Sequence, residues 1–517
     1  YNIGYNPTGI VSESTAPKDF WTYWNNAKKE LASVNADIQL EELSAKSSSK
    51  RKIYLVTMKS APDTKGGNPV TIRGYYAEPV AEGKYPTLLH FQGTDGGSST
   101  PWCPNADDNE NYCEFVLSVR GQMLNNREPN LSDNVYGRDE KTGKTDYYSY
   151  GWGDKEKHYY RGAYLDCVRA VDFLKAQGKV DVNNIFAVGG SQGGCFTYVA
   201  AGLTGAFKAI APSITGHADF VDGMKIVNWP RANFLAAKEK LGMTDEEMNT
   251  FNAYFDVMNF ACHVNCPTIT SFSLQDTTDP AHTNVAPFNL LINVKSEDKK
   301  YIINPFLGHA TVSDWGTKYL EFFKKYTNDD APAGSEAAIV TSVGYATFVP
   351  TSNVVVPEEG VKVYTATVNG SKVQLSPVEA GTVLGANEGF VIAADADSYD
   401  FIVTPRTAAS LTNELKAATT EVVADGSQYI LAQRGNMVGF AKATANTTIA
   451  KGKAYLKVND PSNSRVFYSF DGSTTGISGI TNAAQADNSI YFSISGMKTT
   501  KPQKGIYIHN GKKVVLK

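Results

Sequence analysis

Residues 184–194, Asn-Ile-Phe-Ala-Val-Gly-Gly-Ser-Gln-Gly-Gly, constrain this chain more than any other stretch. An apolar run enters Gly-x-Ser-x-Gly and leaves into a helix-like segment, the signature of a sharp strand-to-helix turn that lifts a serine hydroxyl off the end of a sheet. Glycines flank Ser191 because so tight a turn leaves no room for Cβ atoms. The strand and helix on either side are the context the motif requires, and they single out Ser191 as a nucleophile.

A serine hydroxyl is a weak nucleophile at neutral pH, so a histidine base and an orienting carboxylate are needed. On this type of turn they follow in the order Ser, Asp, His. Of the seven histidines, His263, His282 and His309 lie after the turn in loop-like surroundings. His309 closes a Pro/Gly loop between an apolar strand at 300–303 and a helix at 313–326. Loops at the carboxyl ends of strands are where an open α/β sheet places its chemistry. The acid is expected at Asp276, in the polar loop 275–280 that ends a buried strand at 266–274, with Asp279 of the same loop as its rival. Plain turn chemistry is the alternative reading of both aspartates.

An oxyanion formed at the serine needs backbone donors. The amide of Gln192, directly after the nucleophile, is one. The second is expected from the loop Gln92-Gly93-Thr94-Asp95-Gly96-Gly97 after the strand 85–91, with Thr94 as the donor.

Residues from about 16 to 326 resemble the acetyl xylan esterase and cephalosporin C deacetylase family, carbohydrate esterase family seven. The resemblance rests on Pro17-Lys18-Asp19-Phe20-Trp21, Arg120-Gly121-Gln122, Gly190-Ser191-Gln192-Gly193-Gly194, the segment 254–261, the Asp276 loop and Gly308-His309, in that order. It implies an α/β-hydrolase that removes acetyl groups from sugar hydroxyls, with Ser191 as nucleophile, His309 as base and Asp276 as orienter. The family usually has glutamate after its histidine, where this chain has Ala310, and often His-Gly-Tyr where it has Gln92-Gly93-Thr94. The second departure alters the rim of the acyl pocket, so acyl preference is less constrained than reaction type. Family members are often hexamers, which leaves room for a homo-oligomer here. Arg120-Gly121-Gln122 is expected to hold loops in place rather than to react.

The length of 517 residues exceeds one ordinary domain. A net charge of −4 gives no basic footprint for nucleic acid. No apolar run approaches the roughly 20 residues a bilayer span needs. The division expected is an α/β-hydrolase over 1–326, a linker over 327–340, an all-β accessory module over 341–472, and a second linker with a C-terminal hairpin over 473–517. Strands are expected in the module at 361–368, 372–375, 389–393, 429–433, 437–442 and 465–469, which suggests a sandwich. The module carries no acidic pair, clustered histidines or cysteine. Tyr429 and Phe440 offer either core packing or stacking on sugar rings. Asn510-Gly511 between alternating apolar runs is a hairpin signal. This ending resembles the sorting domains of the type nine secretion system of Bacteroidetes-type bacteria, which implies export to the cell surface or beyond. The start at Tyr1 fits a removed signal peptide or a trimmed chain.

All six cysteines precede the module. Cys103 and Cys113 bracket a polar loop and are expected to form a surface disulfide. Cys262-His263-Val264-Asn265-Cys266 offers three ligands on one short segment, too few for a tetrahedral metal site, so a disulfide or two free thiols is expected there. Cys167 and Cys195, on helices expected over 164–176 and 192–203, read as buried apolar fillers. The chain is therefore expected to be a serine esterase acting on acetylated carbohydrate, without metal or cofactor. The alternatives are an esterase for bulkier feruloyl-type groups, a peptidase of the same fold, or a non-catalytic glycan-binding surface protein.

Overall fold

The structure, a computed structural model, describes residues 6–10, 13–94, 101–122, 136, 149–227, 231–327, 334–369, 372–435, 437–458 and 466–470, with the backbone of strands at 491–493, 498–499, 505–509 and 512–516. The first part is built on strands β1 (Gln39–Glu42), β2 (Arg51–Pro62), β3 (Pro69–Pro79), β4 (Tyr85–Phe91), β5 (Cys113–Ser118), β6 (Val180–Gly190), β7 (Ala209–Ser213), β8 (Thr268–Ser273) and β9 (Lys299–Asn304). Its helices are α1 (Phe20–Ala32), α2 (Tyr159–Lys175), α3 (Gln192–Thr204), α4 (Phe220–Ile226), α5 (Arg231–Leu241), α6 (Asp245–Ala253), α7 (Val257–Ala261), α8 (Ala281–Asn289) and α9 (Trp315–Lys324).

The strands lie in the order β1-β2-β3-β5-β4-β6-β7-β8-β9. β1, β2, β3 and β5 pair antiparallel, and from β5 to β9 every pairing is parallel. The chain moves outward from β4 to β5 and then returns to the other side of β4 with β6. That reversal is the topological switch point, where an open α/β sheet leaves a crevice beyond its carboxyl ends.

Side-chain alternation along β6 explains why the sheet is covered on both faces. Ile185 and Ala187 join a core with Trp24, Tyr164, Phe173 and Phe196 from α1, α2 and α3. Phe186 and Val188 point the other way and join Leu88, Ile269, Trp315, Phe322, Phe323 and Tyr326. α1 buries Phe20, Tyr23, Trp24, Ala27 and Leu31, an apolar stripe at helical spacing. α6 starts on a capping box, Thr244 accepting from the Glu247 amide while Glu247 accepts from the Thr244 amide.

In the second part, six of the described strands fall where the sequence places them: Lys362–Asn369, Lys372–Val378, Phe390–Ala393, Gln428–Arg434, Met437–Lys442 and Phe467–Phe470. The expected linker ends earlier than read from sequence, because Ser335–Val340 is a strand paired antiparallel with Asp397–Val403. Tyr429 and Phe440 are 1% and 0% exposed and pack in one of the module's two cores, so the stacking reading falls. Gly505–His509 pairs with Lys512–Leu516 so that His509 faces Lys512. The register is that of a two-residue hairpin loop, although Asn510 and Gly511 themselves lie outside the described residues. These strands belong to a small four-stranded sheet separate from the sheets of the module.

The expected Cys103–Cys113 disulfide is absent: both thiols are free. Cys113 lies at the start of β5, buried, where its Sγ accepts from Tyr76 Oη and donates to the Lys179 carbonyl, each at 3.6 Å. Cys103 packs instead beside Ile53, Ala77 and Ala106. Cys262 and Cys266 are likewise free, and Cys167 and Cys195 are fully buried as expected.

Candidate active site

Ser191 sits between β6 and α3 with φ 58° and ψ −123°, a backbone state rare for a residue with a side chain. The neighbouring chain leaves it little choice. A Cβ on Gly189 would lie 2.2 Å from the Gly193 carbonyl oxygen, and one on Gly193 would lie 2.1 Å from that of Phe91. Both positions therefore require glycine. The turn is held by the Ser191 amide donating to the Ser213 carbonyl at 3.0 Å and by the Gly216 amide donating to the Ser191 carbonyl at 3.1 Å.

His309 lies in the loop between β9 and α9, and Asp276 in the loop after β8. The Gln275 amide donates to the Leu307 carbonyl and the Gln275 side chain to the Pro305 carbonyl, both at 3.0 Å, which ties one loop to the other. His309 Nε2 lies 2.9 Å from Ser191 Oγ. His309 Nδ1 lies 2.8 Å from Asp276 Oδ2. With Nδ1 donating to the carboxylate, Nε2 is left as the acceptor for the serine proton. Burial pulls the imidazole pKa down, but the hydrogen bond to Asp276 and the charges of Asp279 and Asp276 outweigh it and hold His309 above its ordinary value.

Asp276 both folds its own turn and reaches His309. Its Oδ1 accepts the amides of Thr278 and Asp279, each at 2.9 Å, and so folds its own turn. Its Oδ2 is thereby left aimed at His309, and its side chain is fully buried. Asp279 is not the group on Nδ1; it approaches the other end of the imidazole, a placement that sequence reasoning missed.

Thr94 and Gln192, expected from sequence as oxyanion donors, follow the carboxyl ends of adjacent strands. β4 and β6 are in register with Phe91 opposite Gly189, so the loop through Thr94 leaves the sheet beside the elbow. The Gln192 amide opens α3, where the first amides have no partner inside the helix. The Gln192 side chain is fixed at both ends: Gln122 Nε2 donates to its Oε1, and its Nε2 donates to Tyr160 Oη at 2.7 Å. Arg120 anchors this arrangement, with Nε and Nη2 on the two oxygens of Asp166 at 2.9 and 2.7 Å, and Nη1 on Asp63 at 2.9 Å. Arg120-Gly121-Gln122 thus positions the turn at Gln192, in keeping with its expected structural role. The other two histidines considered lie elsewhere: His263 packs on Trp21, and His282 pairs with Asp222.

Residues 9–326 match the acetyl xylan esterase (AXE1) family. The chain belongs to the acetyl xylan esterase family. Among relatives of this family member, acetyl esterase Axe7A of Xylanibacter ruminicola is 26% identical over 332 residues, 62% of this chain and 70% of that protein. The solved acetyl xylan esterase of a Paenibacillus species is 25% identical with a TM-score of 0.52, covering 62% of this chain and 98% of that one. Acetyl xylan esterase 1 of a Thermoanaerobacterium species, at 22% identity and a TM-score of 0.53, shares the fold over 63% of this chain and 99% of its own. The matched residues end at Tyr326, in the last aromatic layer of the hydrolase core, and leave the β-module outside the family region.

Proposed function

We propose that this serine esterase removes acetyl groups from the hydroxyls of acetylated xylan and xylo-oligosaccharides, with Ser191, His309 and Asp276 as its triad. The observation that carries the reading is the unbroken relay from Ser191 Oγ through both nitrogens of His309 to Asp276 Oδ2, at 2.9 and 2.8 Å, on a glycine-enforced elbow. Ser191 Oγ attacks the acetyl carbonyl as its proton passes to Nε2. The amides of Gln192 and Thr94 receive the oxyanion. The tetrahedral intermediate then collapses, the imidazolium protonates the departing sugar oxygen, and the acetyl group remains on Ser191. Water repeats the sequence, with His309 again as base, and acetate leaves. Asp276 keeps Nδ1 protonated and stabilises the imidazolium.

Support for export comes from the four C-terminal strands at 491–493, 498–499, 505–509 and 512–516, which form a sheet separate from those of the β-module, as a detachable sorting signal would. The substrate reading is tested by assaying acetylated xylo-oligosaccharides, cephalosporin C and methyl ferulate side by side. Release of acetate from the first, with a kcat/KM at least about tenfold above hydrolysis of the ferulate, is expected. Preference for the ferulate would overturn it.

A further inference from the structure

The loop that carries Asp276 brings a second carboxylate to the same reacting pair. Asp279 Oδ2 lies 3.4 Å from Ser191 Oγ and 3.8 Å from His309 Nε2, and its side chain is 13% exposed. Its carboxylate rests against Gly216, where a Cβ would come within 3.3 Å of it. The placement is fixed from behind by Asn284, whose side chain donates to the Asp279 carbonyl at 2.9 Å, and by the Asp279 amide on Asp276.

The groups around it decide what this carboxylate can feel. From the loop after β7, His217 lines a small cavity beside it with Thr278 and Thr283, and burial holds that imidazole well below its usual pKa, uncharged. From α3, Cys195 is a fully buried thiol held protonated by its burial. Asp219, Asp222 and His282 pair among themselves. Among the described residues, the charges acting on Asp279 are those of His309 across the site and Asp276 in its own loop. Burial pushes its carboxyl up to about 7, against the attraction of His309. It therefore titrates in the range where histidine does.

Ser191 Oγ has one proton and two acceptors within reach. We propose that Asp279 and His309 share a proton, so that Asp279 is a positioning residue that sets the pH at which His309 becomes free to activate Ser191. The proposal rests on the reading of Ser191 as nucleophile and His309 as base. At low pH both groups carry a proton. Loss of the first leaves one proton on the pair, either as AspH with neutral imidazole, which can take the serine proton, or as carboxylate with imidazolium, which cannot. Loss of the second frees the imidazole in every molecule. Such steps belong to the pair rather than to either residue. The ion-paired form draws enzyme away from the competent one and moves the acidic limb of the pH profile upward. Once acylation begins, the same carboxylate stabilises the imidazolium as it forms.

The test compares kcat/KM against pH for the wild type, Asp279→Asn and Asp279→Ala, on an aryl acetate. The Asp279 side chain is described as bonded only to Ser191 and ion-paired only with His309, both within the site, so both variants are expected to fold. The acidic limb should move to lower pH by about one unit or more in each, as an adjacent opposite charge shifts a histidine by that much, and kcat at the plateau should fall. A limb that superimposes on the wild type, or moves upward, overturns the proposal. An NMR titration of the His309 imidazole in Ser191→Ala, with and without Asp279→Asn, reads the same shift without turnover. An unmoved midpoint in the folded double variant would also overturn it. Failure of the esterase reading itself would show separately, as a wild type that releases no acetate.

Discussion

At Ser191 the backbone is held in a state that costs about 1–3 kcal/mol, and the return is a hydroxyl presented to His309 at hydrogen-bond distance. Ser191→Ala and His309→Ala should each lower kcat by about 10⁴-fold or more, because each removes the acyl-enzyme route. Asp276→Asn should cost about 10²–10⁴-fold, since it disturbs the tautomer of His309 without removing it. Circular dichroism should show all three folded. Near-wild-type turnover in any of the three would contradict the assignment. Ser191, Asp276 and His309 were legible in the sequence because a short motif fixes the first and strand-then-loop punctuation marks the other two. The position of Asp279 was not. Two aspartates three residues apart look alike in a sequence, and only the turn folded on Asp276 Oδ1 sends one to Nδ1 and the other to the serine.

Among the elements, β6 and α3 could be read because a continuous apolar run and two steric glycines leave few other conformations. The strand Ser335–Val340 could not, since it buries only Ala338 and Val340 and follows directly on a Pro/Gly segment typical of linkers. The Cys103–Cys113 expectation failed for a related reason: spacing across a polar loop says nothing of which face of β5 a side chain takes. Cys113 faces inward to Tyr76. Arg120 supplies the test at this scale, as both it and Asp166 are buried and bonded in parallel. Arg120→Met leaves the buried Asp166 carboxylate only the backbone amide of residue 120 and removes its charged partner, and should cost about 3–5 kcal/mol in denaturant unfolding. A loss under about 1 kcal/mol would mean that the pair does not hold these loops.

Across the whole molecule, the sheet, its two covering helix layers and the candidate site are complete before Thr327, while the β-module has two cores of its own. A chain ending at Thr327 keeps Phe322, Phe323 and Tyr326 in the hydrolase core and loses the bond from the Asn265 side chain to the Gly334 carbonyl. It should fold and retain kcat/KM on a soluble aryl acetate within about threefold, because no described site residue comes from the module. A folded but inactive short chain would place part of the site in the module. The β-rich character of the chain after the hydrolase core was readable from the change in apolar periodicity, whereas the antiparallel extension by β1, β2 and β3 rests on long-range pairing that no local pattern announces.

Catalysis through an ester on Ser191 can be read by acid-quenching the enzyme during turnover of an acetylated xylo-oligosaccharide and mapping its peptides by mass spectrometry. One acetyl group is expected on the peptide containing Ser191, absent from Ser191→Ala. Turnover by Ser191→Ala at the wild-type rate, or an acetyl group trapped on another residue, would contradict it.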